Sequence, residues 1–222
     1  YRTVIEAAGF DVETHVVRGT PHRRINGIAE AVRADVSIVG SRGESPLENR
    51  IIGSTARNLA RTTVVPLLVN RVERGTDDPA VRREHLFHRL LFATDFSENA
   101  GRAFEFIPRL EGATQRATLL HVRSRGQRAD GESEAAARDQ LADLADELET
   151  TMGIDVSTAV RSGGVVDEIL TLEEAVGATV TVRGSRGRSR LRRLLLGSTA
   201  ESVVARGSNN VLLVPPEAAA PR

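Results

Sequence analysis

An internal repeat constrains this chain more than any other feature of its sequence. A glycine-rich segment, Gly40–Ala56, returns 144 residues later as Gly184–Ala200, and ten of the seventeen aligned positions are identical by direct count. The same offset aligns Gly19 with Gly163 and needs no gap. A repeat at one fixed offset indicates a duplicated structural unit. We therefore expect two copies of one fold rather than a single large domain.

Strand and helix patterns alternate within both copies. Short apolar runs bounded by glycine, proline or polar residues predict strands, and apolar residues at helical spacing predict helices. In the first copy we predict helices over Thr3–Ala8, Arg23–Val32 and Ala56–Arg61, and strands over Val12–Val17, Asp35–Val39 and Val64–Val69. In the second copy we predict strands over Leu90–Thr94, Ala117–Val122, Ile154–Val160, Ala178–Val182 and Val211–Val214, and helices from the turn Asp95–Ser97 to about Leu110 and over Ser133–Thr150, Val165–Ala175 and Gly197–Arg206. This alternation is typical of an α/β fold whose parallel sheet is covered on both faces.

The chain divides into two domains of unequal length. Residues 1–70 match only the carboxyl-terminal part of the second copy, so they form a partial domain, whereas residues 89–216 form a complete one. The polar stretch 71–88 has no sustained period and is predicted to be a linker. We expect residues 123–131 to form a mobile loop and residues 217–222 to be a frayed tail.

The first copy lacks the elements that open the second. It begins at the position equivalent to the long helix before Ile154, so the first strand, first helix and second strand have no counterpart. Such a half would struggle to fold alone, and we expect the natural protein to extend upstream of Tyr1. Pro66 further marks the strand that contains it as an edge strand, because proline cannot donate to a sheet ladder.

Composition excludes several classes of function. The 30 basic residues, all arginine, balance 30 acidic residues, and aromatic residues make up 3% of the chain, so we expect no nucleic-acid partner. The absence of cysteine excludes disulfides and thiolate chemistry, and the absence of lysine excludes a P-loop lysine or a Schiff base. No apolar stretch approaches the ~20 residues needed to cross a bilayer. We therefore expect no membrane insertion by this segment and a cytoplasmic location.

The second glycine-rich segment has the features of an anion site. The strand Ala178–Val182 leads into Gly184–Gly187, and Gly197–Thr199 opens the following helix. Glycine lets the backbone approach a ligand closely or take a positive φ, and the free N–H groups at a helix start favour an anion. The loop between them carries arginines and no acid, whereas the loop of the first copy carries Glu44 and Glu48. The second loop should attract polyphosphate better, and a solvated arginine face is the alternative interpretation.

The pattern Gly-x2-Gly-x9-Gly-[Ser/Thr] after the fourth strand, with Asp95 closing the first, resembles the universal stress protein family in its tandem-domain form, with an amino-terminally incomplete first domain. Both copies carry the glycine pattern, and the resemblance covers nearly the whole chain. It implies a doubly wound five-stranded parallel sheet of order 3-2-1-4-5. It also implies ATP or AMP at the carboxyl ends of the strands, as in many members, although other members bind no nucleotide. The strands of the first copy would then be the third, fourth and fifth.

The resemblance assigns nucleoside contacts to four residues of the second copy. Asp95 would lie against the adenine and ribose, and the backbone of Val122 would recognise the edge of the adenine. Gly184 and Gly187 would make room for ribose and phosphate. A helix-capping or turn role is the alternative for Asp95. Arg183 departs from the family pattern, which usually has an apolar residue at this position.

Phosphate contacts are implied at the start of the last helix. The N–H groups and hydroxyl at Gly197 and Ser198 would hold phosphate oxygens, with Thr199 as a further donor. The first copy has no counterpart of Asp95 or Val122 in this chain, so the nucleotide is expected in the second domain alone.

The resemblance thus implies an adenine-nucleotide-binding regulatory protein of the stress response, which holds ATP or AMP with or without Mg²⁺. No nucleophile, base and acid are arranged for catalysis, so any enzymatic activity would be limited to slow ATP hydrolysis. His85 and His88 could share a helical face, but they have no third ligand nearby, and we predict no metal site for them.

A nucleotide-independent interaction or dimerisation module is the alternative function, and such a module could be the cytosolic regulatory part of a longer protein such as a transporter. The resemblance also implies pairing through the last strands, which would place Val64–Val69 beside Val211–Val214 within the chain or join two chains as a homodimer. The protein partner is unknown.

Overall fold

The structure, a computed structural model, describes residues 2–41, 52–71, 86–124, 133–187 and 196–216. Helices and strands alternate along these ranges, as the spacing of apolar residues predicts. The first copy contains α1 (Arg2–Ala7), α2 (Pro21–Ala31), β1 (Ser37–Gly40), α3 (Ser54–Thr62) and β2 (Leu67–Asn70). The second copy contains β3 (Arg89–Thr94), α4 (Glu98–Phe106) followed by a 3-10 helix (Ile107–Leu110), β4 (Arg116–Arg123), α5 (Glu134–Met152), β5 (Asp155–Ser162), α6 (Val165–Ala175), β6 (Val180–Gly184), α7 (Ser198–Arg206) and β7 (Asn210–Val214).

Seven strands of the described residues form one sheet, in the order β1-β2-β7-β6-β3-β4-β5. Neighbouring strands are parallel except for β2 and β7, which are antiparallel. The five strands of the second copy, counted by themselves, follow the doubly wound order 3-2-1-4-5. The predicted α/β class is confirmed, and the sheet has seven strands rather than five because β1 and β2 extend it.

The two copies meet at the pair formed by β2 and β7. The register places Leu67 opposite Leu213, Leu68 opposite Leu212 and Val69 opposite Val211. Leu68 and Leu212 are also equivalent positions of the repeat, since 68 plus 144 is 212. The junction therefore has a local two-fold symmetry, like the self-complementary contact of a symmetric dimer. The last strands of the copies lie side by side within the chain, as the resemblance implied.

Pro66 does not mark an edge strand. Because β2 lies between β1 and β7, the edge prediction is wrong. The strand begins at Leu67, one residue after Pro66, so the proline removes no donor from the ladder. The carbonyl of Pro66 contributes instead, accepting a hydrogen bond from the N–H of Ser37 at 2.8 Å.

The duplication extends to backbone geometry. Helices α2 and α3 have the same bounds as α6 and α7 once the numbers are shifted by 144. Gly9 and Gly153 are also equivalent, and both adopt a left-handed φ, of 88° and 64°, just after a helix. The two copies therefore share their helix starts and stops as well as their glycine spacing.

The sheet separates two apolar clusters. One lies beneath α3, α6 and α7 and includes Leu91, Ile169 and Val203, and the other lies beneath α4 and α5 and includes Phe92 and Leu148. Leu91 and Phe92 serve opposite clusters because successive side chains of a strand alternate in direction. Burial on both faces explains why β3 is apolar over most of its length.

The strand predicted over Val12–Val17 is not formed, because residues 10–18 contain neither helix nor strand. Its equivalent in the second copy lies in β5, which pairs with β4. The described part of the first copy has no counterpart of β4, so these residues have no neighbouring strand, and Val16 is 95% exposed. Strand propensity without a partner does not form a ladder.

One side of β1 is uncovered for the same reason. β6 pairs with both β3 and β7, whereas β1 pairs with β2 alone in the described chain. Ile38 of β1 is 66% exposed and its equivalent Val182 is 0% exposed. Val4 of α1 is 58% exposed, against 1% for the equivalent Leu148. The first copy thus exposes apolar positions that the second copy buries.

Several predicted features lie outside the described residues. These are most of the predicted linker (72–85), most of the loop predicted over 123–131 (125–131), the first glycine-rich loop (42–51), the arginine-bearing part of the second (188–195) and the predicted tail (217–222). The domain boundaries remain predictions. None of the helices that the structure describes is long and apolar enough to cross a membrane.

Candidate functional site

A crevice opens at the carboxyl ends of β3, β4 and β6, with a cavity volume of about 320 Å³. Ligands of open α/β sheets bind at this edge, where the strand order reverses, and here the reversal falls between β3 and β6. The seven positions that the sequence singles out all line this cavity: Asp95, Val122, Gly184, Gly187, Gly197, Ser198 and Thr199. The structure therefore brings together residues that are up to 104 positions apart, from 95 to 199.

The apolar wall of the crevice was not predicted from the sequence. Leu120, Val165 and Ile169 line it beside Val122. The last two come from the first turns of α6, where the sequence shows only an ordinary amphipathic helix. Their place in the site depends on how α6 packs over β4, which no local pattern reports.

A hydrogen-bonded turn holds Asp95 at the end of β3. Asp95 Oδ1 accepts a bond from the N–H of Ser97 at 3.1 Å, and Thr94 Oγ1 accepts one from the N–H of Phe96 at 3.0 Å. Ser97 Oγ accepts a bond from the N–H of Ala100 at 3.3 Å and caps α4. Asp95 is therefore a turn residue and a wall of the crevice at once.

His121 anchors this turn from the neighbouring strand. Its side chain is fully buried, and Nδ1 lies 2.9 Å from the carbonyl oxygen of Thr94. The ring also stacks on Phe96 at a centroid distance of 4.5 Å. Phe96 has a φ of 56°, an uncommon conformation for a residue with a bulky side chain. The signal in the sequence is a single histidine within an apolar strand, in register with Thr94.

The three glycines of the motif provide space rather than unusual backbone angles. A Cβ on Gly184 would fall 2.5 Å from Asn99 Nδ2, and one on Gly187 would fall 2.6 Å from Asp95 Oδ2. A Cβ on Gly197 would meet the Cα of Arg186 at 3.4 Å. None of the three has a positive φ. A larger residue at Gly184 would therefore press on the first turn of α4, and one at Gly187 would press on Asp95 in the β3–α4 connection.

The amino-terminal end of α7 forms the polar end of the crevice. Gly197 precedes the helix as its N-cap, and its N–H donates to the carbonyl of Ser185 at 2.8 Å. The expected phosphate contact by the N–H of Gly197 is therefore wrong, because this donor is already engaged within the protein. The N–H groups of the first helical turn have no partner within a helix, so those of Ser198 and Thr199 are available to an anion. Their position at the cavity makes this end suitable for phosphate oxygens.

Arg183 adds a buried positive charge to the wall. Its side chain lines the cavity although the residue is only 9% exposed. Nε donates to the carbonyl of Gly184 at 3.3 Å, while Nη1 has no hydrogen-bond partner among the described residues. Burial lowers the pKa of Arg183 to about 10, and the nearby carboxylate of Asp95 opposes this shift. The guanidinium therefore stays charged at neutral pH.

The first copy repeats the backbone of this site. Gly53 caps α3 and donates to the carbonyl of Ser41 at 2.8 Å, and Ser41 donates to the carbonyl of Asn70 at 2.7 Å. Ser185 makes the equivalent bond to Val214 at 2.8 Å. The end of the strand and the start of the helix are thus duplicated in the described residues, but the β3–α4 turn that supplies Asp95 has no counterpart there.

No metal cluster is found in the part of the chain that the structure describes. There, no group of three or more histidine, aspartate or glutamate side chains could hold a metal ion. Any Mg²⁺ at the crevice would need phosphate oxygens of a ligand among its own ligands.

The fold and the crevice define a doubly wound α/β protein with a ligand site at the switch point of its sheet. The sequence model of the universal stress protein family matches residues 1–71 and 86–215. The chain therefore belongs to the universal stress protein family, as two separate matched segments in tandem.

Known relatives agree with this assignment. Universal stress protein MJ0577 of Methanocaldococcus jannaschii is 37% identical over 65 residues, which cover 29% of this chain and 40% of the relative. Its structure has a TM-score of 0.56 at 25% identity and covers 60% of this chain and 99% of that one. A universal stress protein of Archaeoglobus fulgidus has a TM-score of 0.69 at 28% identity and covers 97% of this chain and 73% of that one. The curated relatives are thus matched over about 40% of their own length.

Proposed function

We propose that the crevice of the second copy binds an adenine nucleotide, ATP or AMP, and that the protein acts as a nucleotide-responsive regulator in the stress response. One observation carries the proposal. The seven positions to which the family resemblance assigns nucleotide contacts line a single cavity of about 320 Å³. That volume lies at the lower end of the range for small-molecule sites.

One end of the cavity is apolar and the other is polar, which suits the base and the phosphate of a nucleotide. Val122 and Ile169 belong to an apolar wall against which a base can pack. The start of α7, at Ser198 and Thr199, offers N–H groups and a positive dipole end to phosphate. Asp95, at the carboxyl end of β3, lies where a ribose hydroxyl could donate a hydrogen bond to its carboxylate.

A regulatory role fits this chemistry better than a catalytic one. The described residues of the crevice hold one carboxylate, Asp95, and no histidine. Asp95 Oδ1 is already engaged by the N–H of Ser97. We therefore assign no general base, and any ATP hydrolysis is expected to be slow. When a triphosphate binds, Mg²⁺ would come with its phosphates.

Equilibrium dialysis with ATP and AMP tests the proposal. The wild-type chain should retain nucleotide, and both Asp95→Ala and Gly197→Val should retain at least about tenfold less, because each removes or blocks a direct contact. Gly53→Val is the matched control, since Gly53 is the repeat equivalent of Gly197 and caps α3 outside the cavity. Wild-type protein that retains neither nucleotide at millimolar concentration would remove the proposal.

A further inference from the structure

The guanidinium of Arg183 is buried in the wall of the crevice with one donor unused. The residue is 9% exposed, and Nη1 has no partner among the residues that the structure describes. A buried donor that has lost its water and gained no acceptor destabilises the protein. Nε, by contrast, is engaged by the carbonyl of Gly184 at 3.3 Å, which fixes the guanidinium near the carboxyl end of β6.

Because Arg183 is charged, the lack of an acceptor for its Nη1 destabilises the protein more than it would for a neutral donor. The fall of its pKa to about 10 still leaves it protonated at pH 7, so the crevice contains a buried cation. The carboxylate of Asp95 attracts it electrostatically, and both residues line the same cavity. Burying a charge is costly unless it is paired and hydrogen-bonded. An anionic ligand would both pair with the charge of Arg183 and accept a hydrogen bond from its Nη1.

The first copy shows that the fold does not need a charge at this position. The repeat equivalent of Arg183 is Val39, which packs on the apolar cluster beneath α3, α6 and α7. The helix that follows has equivalent bounds in both copies, and Ser41 and Ser185 make equivalent backbone bonds, although β1 lacks the neighbour that β3 provides for β6. A valine therefore satisfies the packing on this cluster in the first copy.

We propose that Arg183 recognises the phosphate of the ligand, with Nη1 donating to an anionic oxygen, so that the crevice selects phosphorylated nucleosides over free nucleosides. This inference rests on the proposed nucleotide function and adds a residue that sets its specificity. Arg183 and the start of α7 line the same cavity, so an anion could be held by side-chain and backbone donors together. Guanidinium groups suit this task because their rigid fork matches phosphate oxygens.

Calorimetric titration of the whole chain with AMP and with adenosine tests the proposal. Arg183→Val, which installs the residue of the first copy, should weaken AMP binding about tenfold or more and change adenosine binding by less than about threefold. Arg183→Lys keeps the positive charge but lacks the forked guanidinium, so its affinity for AMP should lie between those of the wild type and Arg183→Val. Arg138→Val, on α5 across the sheet, should match the wild type because Arg138 pairs only with exposed Glu134 in the described chain.

Two results would overturn the role of Arg183. Equal losses for AMP and adenosine would show that the side chain shapes the pocket without reading phosphate, and unchanged binding of both would show that it does not touch the ligand. A thermal unfolding midpoint at or above that of the wild type would confirm that Arg183→Val is folded, since the variant removes a buried unsatisfied donor.

A pyrophosphate arm separates this proposal from the adenine assignment. If the wild type binds neither AMP nor adenosine, the adenine function fails, and the effect of pyrophosphate on the thermal unfolding midpoint then decides the role of Arg183. Protection of the wild type but not of Arg183→Val would support anion recognition. If pyrophosphate shifted the unfolding midpoint of the two proteins by the same amount, the role of Arg183 in anion recognition would be overturned.

Discussion

Thr181 Oγ1 donates a hydrogen bond of 2.6 Å to the carboxyl group of Glu173 inside the protein. The bond joins α6, which covers the crevice, to β6, which leads into the glycine-rich loop. Glu173 is 1% exposed, and its repeat equivalent in the first copy is Ala29. Burial raises the pKa of Glu173, the bond from Thr181 and the charge of Arg71 oppose this shift, and Glu174 adds to it.

Stability should therefore depend on the ionisation of Glu173. Because its pKa in the folded protein lies above the ordinary value of 4.5, the folded state binds the proton more readily than the unfolded chain. Its contribution to the free energy of unfolding is fully present below pH 4.5 and is lost as pH rises through the raised pKa. Glu173→Gln keeps an acceptor for Thr181 and removes the titration.

Urea unfolding of the wild type and Glu173→Gln between pH 4 and 8 checks this expectation. The variant should gain stability relative to the wild type as pH rises, and the difference should level off once Glu173 is ionised. Parallel stability curves across the range would contradict it. Glu174→Gln, one residue along α6, is the control for a general change in charge.

Gly184 and Gly187 should respond differently to alanine. A Cβ at Gly184 would meet both Nδ2 and the backbone oxygen of Asn99, at 2.5 and 2.9 Å, and Asn99 is tied to Val214 by a 3.0 Å bond. Gly184→Ala should therefore reduce the free energy of unfolding by about 1–3 kcal/mol. At Gly187 the obstacle is the tip of the Asp95 side chain, which can swing aside.

Gly187→Ala is accordingly expected to leave stability within about 0.5 kcal/mol of the wild type. It should instead weaken nucleotide binding, because the displaced Asp95 carboxylate leaves its place in the crevice. Chemical unfolding and dialysis of the two variants separate the effects. A Gly187→Ala protein that binds ATP as well as the wild type would argue against a ligand contact by Asp95.

His121 should influence binding without lining the crevice. His121→Leu removes the contact with the carbonyl of Thr94 and the stacking on Phe96, so the turn that carries Asp95 should loosen. We expect nucleotide affinity to fall by roughly tenfold, the equivalent of one ordinary hydrogen bond. Titration with AMP measures this. His15→Leu, in the first copy, is the control, and equal affinity of the two variants would mean that His121 does not position the turn.

The junction of the copies should depend on Asn210. Its Oδ1 accepts bonds from the N–H of Arg71 at 2.8 Å and from Asn70 Nδ2 at 3.2 Å, and its Nδ2 donates to the carbonyl of Thr179 at 2.8 Å. Asn210→Ala should lower the free energy of unfolding by about 1–3 kcal/mol, because it leaves partly buried groups unsatisfied. Denaturant unfolding checks this against Asn209→Ala, and equal midpoints would show that the three bonds contribute little.

The sequence predicted the location of the crevice because its signals are local. Glycine spacing between a strand and a helix marks a loop at the carboxyl end of a parallel sheet, and the repeat made that spacing specific. Gly184, Gly187 and Gly197 all line the cavity as a result. The sheet order of the second copy was likewise available, but from the family resemblance rather than from periodicity.

Features that depend on a residue or strand far away in the chain could not be predicted from the sequence. Val12–Val17 alternates like a strand but forms none, since strand formation requires a neighbour that local propensity does not supply. Pro66, which precedes β2, did not indicate that β7 would pair with that strand. A Cβ on Gly187 would fall 2.6 Å from Asp95 Oδ2, although the two residues are 92 positions apart, from 95 to 187, and only the folded arrangement of β3 and β6 brings them close.

The antiparallel pair of β2 and β7 has a consequence for how the two halves can diverge. In a dimer of identical chains, every substitution appears on both sides of the two-fold axis. Here the axis passes between Leu68 and Leu212 of one polypeptide, so each half can change alone. Position 183 can carry an arginine while position 39 keeps a valine. Fusion of the repeats thus permits the two equivalent edges of the sheet to carry different side chains, which a symmetric assembly of a single sequence cannot encode.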